Sequence, residues 1–141
     1  MDKIKILESE KEISSVFNLI KELVPELKEE NFLNIVREKQ KLGYFLAGYF
    51  EGDEIISIIG FRFNVYYASG KYLFIDDFAT HPDYRSKGIG SKFFKWLEQY
   101  ALKNDCLEIQ VDTNVNLIKA HKFYYRQNMG ITHFHLTKAI K

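Results

Sequence analysis

Only one cysteine, Cys106, and two prolines, Pro25 and Pro82, occur in the 141 residues. A lone cysteine excludes an intrachain disulfide framework and a cysteine-rich zinc site. No proline- or serine-rich linker and no internal repeat interrupts the chain, so residues 1–141 read as one domain, long enough to bury a proper core. Charge of one sign is also missing. A net charge of +1 argues against broad nucleic-acid binding, which needs a basic face, and any anion site must therefore be local. Long apolar runs are absent too: nothing approaches the roughly 18 residues of a membrane span. The opening "MDKIKILESEKE" has no signal-peptide core. No membrane partner is expected, and the expected location is cytoplasmic.

What the chain does have is periodicity, with phenylalanine and tyrosine in plenty. "KIKIL" reads as a first strand. Ile13, Val16, Phe17, Ile20, Leu23 and Val24 recur at helical spacing behind Ser9, a candidate cap. Phe32, Leu33, Ile35 and Val36 give a second helix that ends before Gly43. "YFLAGYF", "IISIIGFRFNVYY" and "YLFIDDFAT" are strands separated by the turn signals "EGDE" and "ASGK", which predicts an antiparallel meander stopped at Pro82. From Ile89, apolar Phe93, Trp96, Leu97, Tyr100 and Ala101 share one helical face. "LEIQVDT" is a strand of buried type, followed by a helix over roughly 116–127 and a last strand near "ITHFHLTKAI". The third-helix segment links "YLFIDDFAT" to "LEIQV" through a long crossover, which favours a parallel pair there. The fold class is α/β, a mixed, mostly antiparallel sheet flanked by helices in the order βααβββαβαβ.

Between a strand and an amphipathic helix sits "RSKGIGS": Arg85, Ser86, Lys87, Gly88, Ile89, Gly90 and Ser91. A helix start leaves backbone N–H groups without partners and carries partial positive charge. Glycines let that backbone adopt φ > 0 and approach a ligand closely. Arg85 and Lys87 add full charges. The result is a small anion cradle suited to a diphosphate, although glycine also serves many strand–helix turns for geometry alone. The spacing matches neither a P-loop nor a dinucleotide-binding fingerprint.

"R85-S-K-G-I-G90" resembles the Q/R-x-x-G-x-G/A turn of the GNAT N-acetyltransferase superfamily, and "A120-H-K-F-Y-Y-R-Q-N-M-G-I" resembles its A-x-x-F/L-Y-x-x-x-G-F segment. "LFIDDFATHPDYRSKGIG" is similar to the corresponding stretch of the diamine and thialysine acetyltransferase branch. Two departures stand out. The Tyr-to-Gly spacing in "YYRQNMG" is longer than usual, and Asn116 lies one residue too far upstream of Ala120 to match the family's asparagine.

The resemblance implies an acetyl-CoA-dependent N-acetyltransferase whose turn, residues 85–91, holds the pyrophosphate of acetyl-CoA. It also implies backbone donors at Phe78, Ala79 and Thr80 for the acetyl carbonyl and pantetheine arm. Tyr124 matches the tyrosine that protonates the departing thiolate, with Tyr125 its neighbour and rival. A primary alkylamine has a pKa of about 10, so acetylation near neutral pH needs a group to take its proton. Asp76 and Asp77 are the acidic candidates, Asp76 matching the residue proposed as base in the branch. Either could instead bind the ammonium. As neighbours on a strand they should point to opposite faces. The partners implied are acetyl-CoA and a small amine; a homodimer is open as the assembly. A protein or peptide acceptor, or an acyl-CoA sensor without turnover, are the rival readings. His133 and His135 share a strand face but have no further ligand candidates, so no metal is expected. Cys106 reads as a small core residue.

Overall fold

The computed structural model describes residues 3–141. Within them the chain separates into two compact units, one ending at Gln110 and one running from Val111 to Lys141.

The first unit opens with β1 (Lys3–Ile6), then α1 (Glu10–Ser15), α2 (Phe17–Leu23) and α3 (Glu29–Lys41). Ser9 caps α1 as the sequence suggested, its side-chain oxygen accepting from the Glu12 N–H at 3.2 Å. The single helix expected from Ile13 to Val24 is two, broken at Val16, whose ψ of 6° leaves the helical region. The meander follows: β2 (Phe45–Glu51), β3 (Glu54–Tyr66) and β4 (Gly70–Thr80), all antiparallel. A short 3₁₀ turn, Pro82–Tyr84, leads to α4 (Ile89–Lys103) and β5 (Glu108–Val111). The sheet order is β1-β2-β3-β4-β5. The Leu107 N–H, just ahead of β5, bonds the Lys71 carbonyl at the start of β4 at 2.8 Å, which places β5 beside β4 in a mixed five-stranded sheet.

Each face of the sheet carries its own core. Leu46, Phe50, Ile58 and Ala79 pack with Ile13, Val16, Phe17, Ile20, Phe32 and Val36 of the N-terminal helices. On the other face Phe93 of α4 meets Tyr49 and Phe78 edge-on, and Phe61 meets Tyr100 at 5.4 Å. Cys106 is buried, in keeping with a small core residue.

β5 differs from the expectation of a buried strand. Leu107, just ahead of it, is 75% exposed and none of β5 is fully buried; among the described residues β5 is the edge strand beside β4.

The second unit holds α5 (Ile118–Arg126). The helix ends with Asn128 at φ 64°; the Met129 N–H bonds the Tyr124 carbonyl and the Asn128 N–H bonds the Tyr125 carbonyl. This is a Schellman closure with asparagine in the position glycine usually takes. Counted from Tyr124 to Asn128 the segment therefore keeps the Y-x-x-x-G spacing, with asparagine in glycine's place and Gly130 lying beyond the cap.

The expected last strand is a correction. Among the described residues no strand follows α5, and Ile131, Phe134, Leu136 and Ile140 are 75–91% exposed. Alternation in "ITHFHLTKAI" satisfies the pattern of a strand, but a strand also needs a partner edge for its N–H and C=O groups, and this segment pairs with none. His135 is tethered by a 2.7 Å contact to Asp112, and His133 bonds Thr132.

Candidate active site

Strand β4 positions the acidic pair, and it does so through a bulge. The β3–β4 register steps from Gly60↔Asp77 to Phe61↔Ile75, which leaves Asp76 without a partner of its own. One extra residue cancels the alternation of side chains. Asp77 therefore receives a hydrogen bond from the Tyr44 hydroxyl at 2.7 Å, beside Gly60, while Asp76 is bracketed by Arg62. Gly60 and Arg62 are two apart on β3 and lie on one face, so both carboxylates lie on that face as well. The expectation of opposite faces is overturned by the bulge.

The two carboxylates are not equivalent. Arg62 holds Asp76 through three hydrogen bonds, from Nε at 3.1 and 2.9 Å and from Nη2 at 3.1 Å. Asp77 is more enclosed. Burial raises its pKa above the ordinary carboxylate value, against the opposing pull of the Tyr44 hydrogen bond and the Lys39 charge; the Asp76 charge raises it further. Tyr44 is itself pushed well above the usual phenol value, first by burial and then by Asp77. A desolvated carboxylate of raised pKa beside a second carboxylate is the arrangement expected of a proton acceptor or an ammonium site.

Just beyond the pair lies the stretch Phe78–Thr80. It remains bonded to β3 on one side, with Ile59↔Phe78, Ile58↔Ala79 and Ser57↔Thr80 in register. Ser57 fixes this end of the ladder, its hydroxyl donating to the Ala79 carbonyl at 2.9 Å. β5, only four residues long, starts level with the beginning of β4 and runs out before this stretch. An extended ligand could lie along that edge.

Gly88 caps α4 with φ 80° and ψ 4°, and Ser86 also has positive φ, at 61°. Nothing lies within 4 Å of where a Gly88 side chain would start, so the concavity in front of the helix is open. Ile89, Gly90 and Ser91 form the first turn of α4, which points its N-terminal dipole there. The turn suits a diphosphate. The flanking cations are partly engaged elsewhere. Arg85 donates to the Thr80 carbonyl at 3.1 Å and reaches Glu22 at 3.4 Å, tying the turn to β4 and α2. Lys87 sits over the Tyr84 ring, and shares a cavity of about 330 Å³ with Glu51.

Tyr124 lies in the second unit, on α5. It is 9% exposed, and burial pushes its phenol up to about 12; its neighbour Tyr125 is 51% exposed. Asn116 takes part in a local turn instead, its N–H bonding the Asn114 side chain at 2.9 Å. Sequence reading missed Tyr44 and Arg62 as partners of the acidic pair. The signal available was Gly60 inside an otherwise apolar strand, which marks a bulge or a close approach.

The acetyltransferase (GNAT) family profile matches residues 7–130. The N-acetyltransferase YhdJ of Bacillus subtilis (strain 168) is 29% identical over 129 residues, covering 91% of this chain and 90% of that one. An aminoalkylphosphonate N-acetyltransferase of Salmonella typhimurium is 32% identical over 66 residues, 47% of this chain and 43% of that one. Among solved structures, the aminoglycoside N-acetyltransferase AAC(6')-Iy, bound to the bisubstrate analogue CoA-S-monomethyl-acetylneamine, superposes with a TM-score of 0.85 at 14% identity, covering 100% of this chain and 99% of that one. A cradle at a helix start, an acidic pair on a bulged strand and a family profile spanning most of the sequence converge: the chain belongs to the GNAT family of acetyltransferases.

Proposed function

We propose that this chain moves the acetyl group of acetyl-CoA directly to a primary amine of a small molecule, with Asp77 as the group that takes the amine proton. The observation that carries the reading is the desolvated Asp77 carboxylate, brought by the bulge onto one face with Asp76. The family profile spans both compact units, and we treat residues 1–141 as one catalytic domain. The lone cysteine suits a cytoplasmic enzyme.

In the reaction the amine nitrogen attacks the thioester carbonyl carbon, the C–S bond breaks, and the electron pair leaves with sulfur. The amine's proton goes to Asp77, whose burial raises its pKa above the ordinary carboxylate value and so toward that of its task. The turn at 85–91 grips the diphosphate through its backbone, and the Phe78–Thr80 edge orients the acetyl arm and stabilises the oxyanion. Tyr124, protonated throughout the working range, is the donor to the leaving thiolate, and the transfer accompanies C–S cleavage. Asp76, held by Arg62, supplies negative potential for a cationic acceptor. The relatives named for aminoalkylphosphonates and aminoglycosides favour a small acceptor over a protein.

The test is thiol release from acetyl-CoA with 1,4-diaminobutane, 2-aminoethylphosphonate, neamine, free amino acids and a lysine peptide. A small amine should give turnover, and Asp77→Asn should lower kcat by about 10²-fold or more with acetyl-CoA affinity kept. Asp76→Asn should act mainly on the acceptor KM. Turnover with the peptide alone, or full activity in Asp77→Asn, would overturn the proposal.

A further inference from the structure

We infer that Tyr44 is a positioning residue for Asp77, a role that rests on the reading of Asp77 as proton acceptor: its hydroxyl holds Oδ2 in a slot that only glycine at position 60 leaves open. The tyrosine stands at the junction of α3 and β2, where its N–H bonds the Lys39 carbonyl at 3.1 Å, and it is 6% exposed. Its hydroxyl reaches across the sheet face to Asp77 Oδ2 at 2.7 Å. A Cβ on Gly60 would lie 1.9 Å from that hydroxyl, 2.5 Å from the ring carbon bearing it and 2.7 Å from Oδ2. Position 60 is thus small because the hydrogen bond passes through the space a side chain would fill.

The bond uses Oδ2 and leaves Oδ1 to the acceptor. A donor on one oxygen fixes the plane of the carboxyl group and stabilises its charged form. Lys39, whose ammonium lies 4.4 Å from the centre of the Tyr44 ring, adds positive charge behind the tyrosine. The other charged groups on this face are Asp76 and Arg62, already paired. On α2, which packs against β4, Lys21 bonds the Pro25 and Leu27 carbonyls and Glu22 meets Arg85. Tyr44 is therefore a direct hydrogen-bond donor to Asp77 that opposes its desolvation and favours its charged form.

Tyr44→Phe removes one oxygen and keeps the ring. The readout is the titration midpoint of the Asp77 carboxyl carbon by NMR, in the full chain with acetyl-CoA present, which needs no knowledge of the acceptor. It should rise by about 0.5–1 pH unit, the equivalent of one lost hydrogen bond. The acid limb of kcat for thiol release, with the most active amine of the panel above, should move by the same amount. Phe should leave acetyl-CoA affinity nearly unchanged, and above the Asp77 midpoint it should lower the melting temperature only by the few degrees that the pKa shift itself requires. Gly60→Ala, which drives the hydroxyl away, should shift the midpoint in the same direction; if it does not fold, Tyr44→Phe decides alone. A folded Tyr44→Phe whose Asp77 midpoint stays put, or a uniform loss of rate at every pH, overturns the inference. An Asp77 midpoint that rises while the acid limb stays fixed leaves the hydrogen bond standing and removes Asp77 as the base, so the two failures are distinguishable.

Discussion

Tyr124 and Tyr125 are adjacent in sequence and opposite in environment, and that contrast makes a sharp test at the scale of single residues. Tyr124 is nearly enclosed with its phenol pushed up to about 12, whereas Tyr125 is half exposed. Tyr124→Phe keeps the ring and removes the only proton the side chain can give. General acid catalysis is typically worth about 10²- to 10⁴-fold, so kcat should fall by at least about tenfold with little change in melting temperature. Tyr125→Phe should be near neutral. Reversed effects in steady-state kinetics would mean that the other tyrosine faces the sulfur, and two neutral variants would assign the proton to water. That Tyr124 and not Tyr125 matches the family's tyrosine was legible from its place in "AHKFYYRQNMG". The orientation of the acidic pair was not. Strand alternation predicts opposite faces for Asp76 and Asp77, and nothing in "FIDDFA" announces the extra residue that sets both on one.

At the scale of elements, the turn into α4 separates two jobs that its glycines do. Gly88 is needed for the backbone, since its φ of 80° is a left-handed conformation, while the space in front of it is empty. Gly88→Ala should therefore cost about 1–2 kcal/mol of stability, read by urea unfolding. Gly90 lies within the helix, where glycine is itself the poorer helix former, so Gly90→Val should leave stability intact. A branched side chain in the first turn should nevertheless exclude a diphosphate and weaken acetyl-CoA binding at least about tenfold, or ~1.4 kcal/mol, by calorimetry. Unchanged affinity in Gly90→Val would remove the diphosphate from this turn. The elements themselves were mostly readable because periodicity reports burial: β2 to β4, α3, α4 and α5 fall close to where their apolar patterns lie. Two misreadings share a cause. The split at Val16 and the absent strand after α5 depend on local backbone choice and on a partner edge, and neither leaves a trace in apolar spacing.

For the molecule as a whole, the acidic site should set a cost in stability that depends on pH. Asp77 has a folded-state pKa raised above its unfolded value, chiefly by burial, so the folded state binds the proton more tightly than the unfolded chain does. Stability then falls as pH rises from the unfolded pKa through the folded one, and stays at the lower level above it. Above the folded-state pKa the desolvated carboxylate works against folding; well below the ordinary Asp value of about 4 the group is neutral in both states and costs nothing. Asp77→Asn is neutral at all pH and can still accept the Tyr44 hydroxyl through its amide oxygen. The variant should therefore melt higher than the parent at pH 7–8, and the gap should close as the pH is lowered toward 4. Asp76, which Arg62 compensates at 2.9 Å, should give no such gain: Asp76→Asn leaves a guanidinium without its partner. Melting curves of the two variants across pH 4–8 check the contrast. A higher melting temperature in the less active Asp77→Asn would show that the fold holds this carboxylate out of water at its own expense. Equal or lower stability in Asp77→Asn at pH 7 would mean that Tyr44 and Lys39 fully offset the burial.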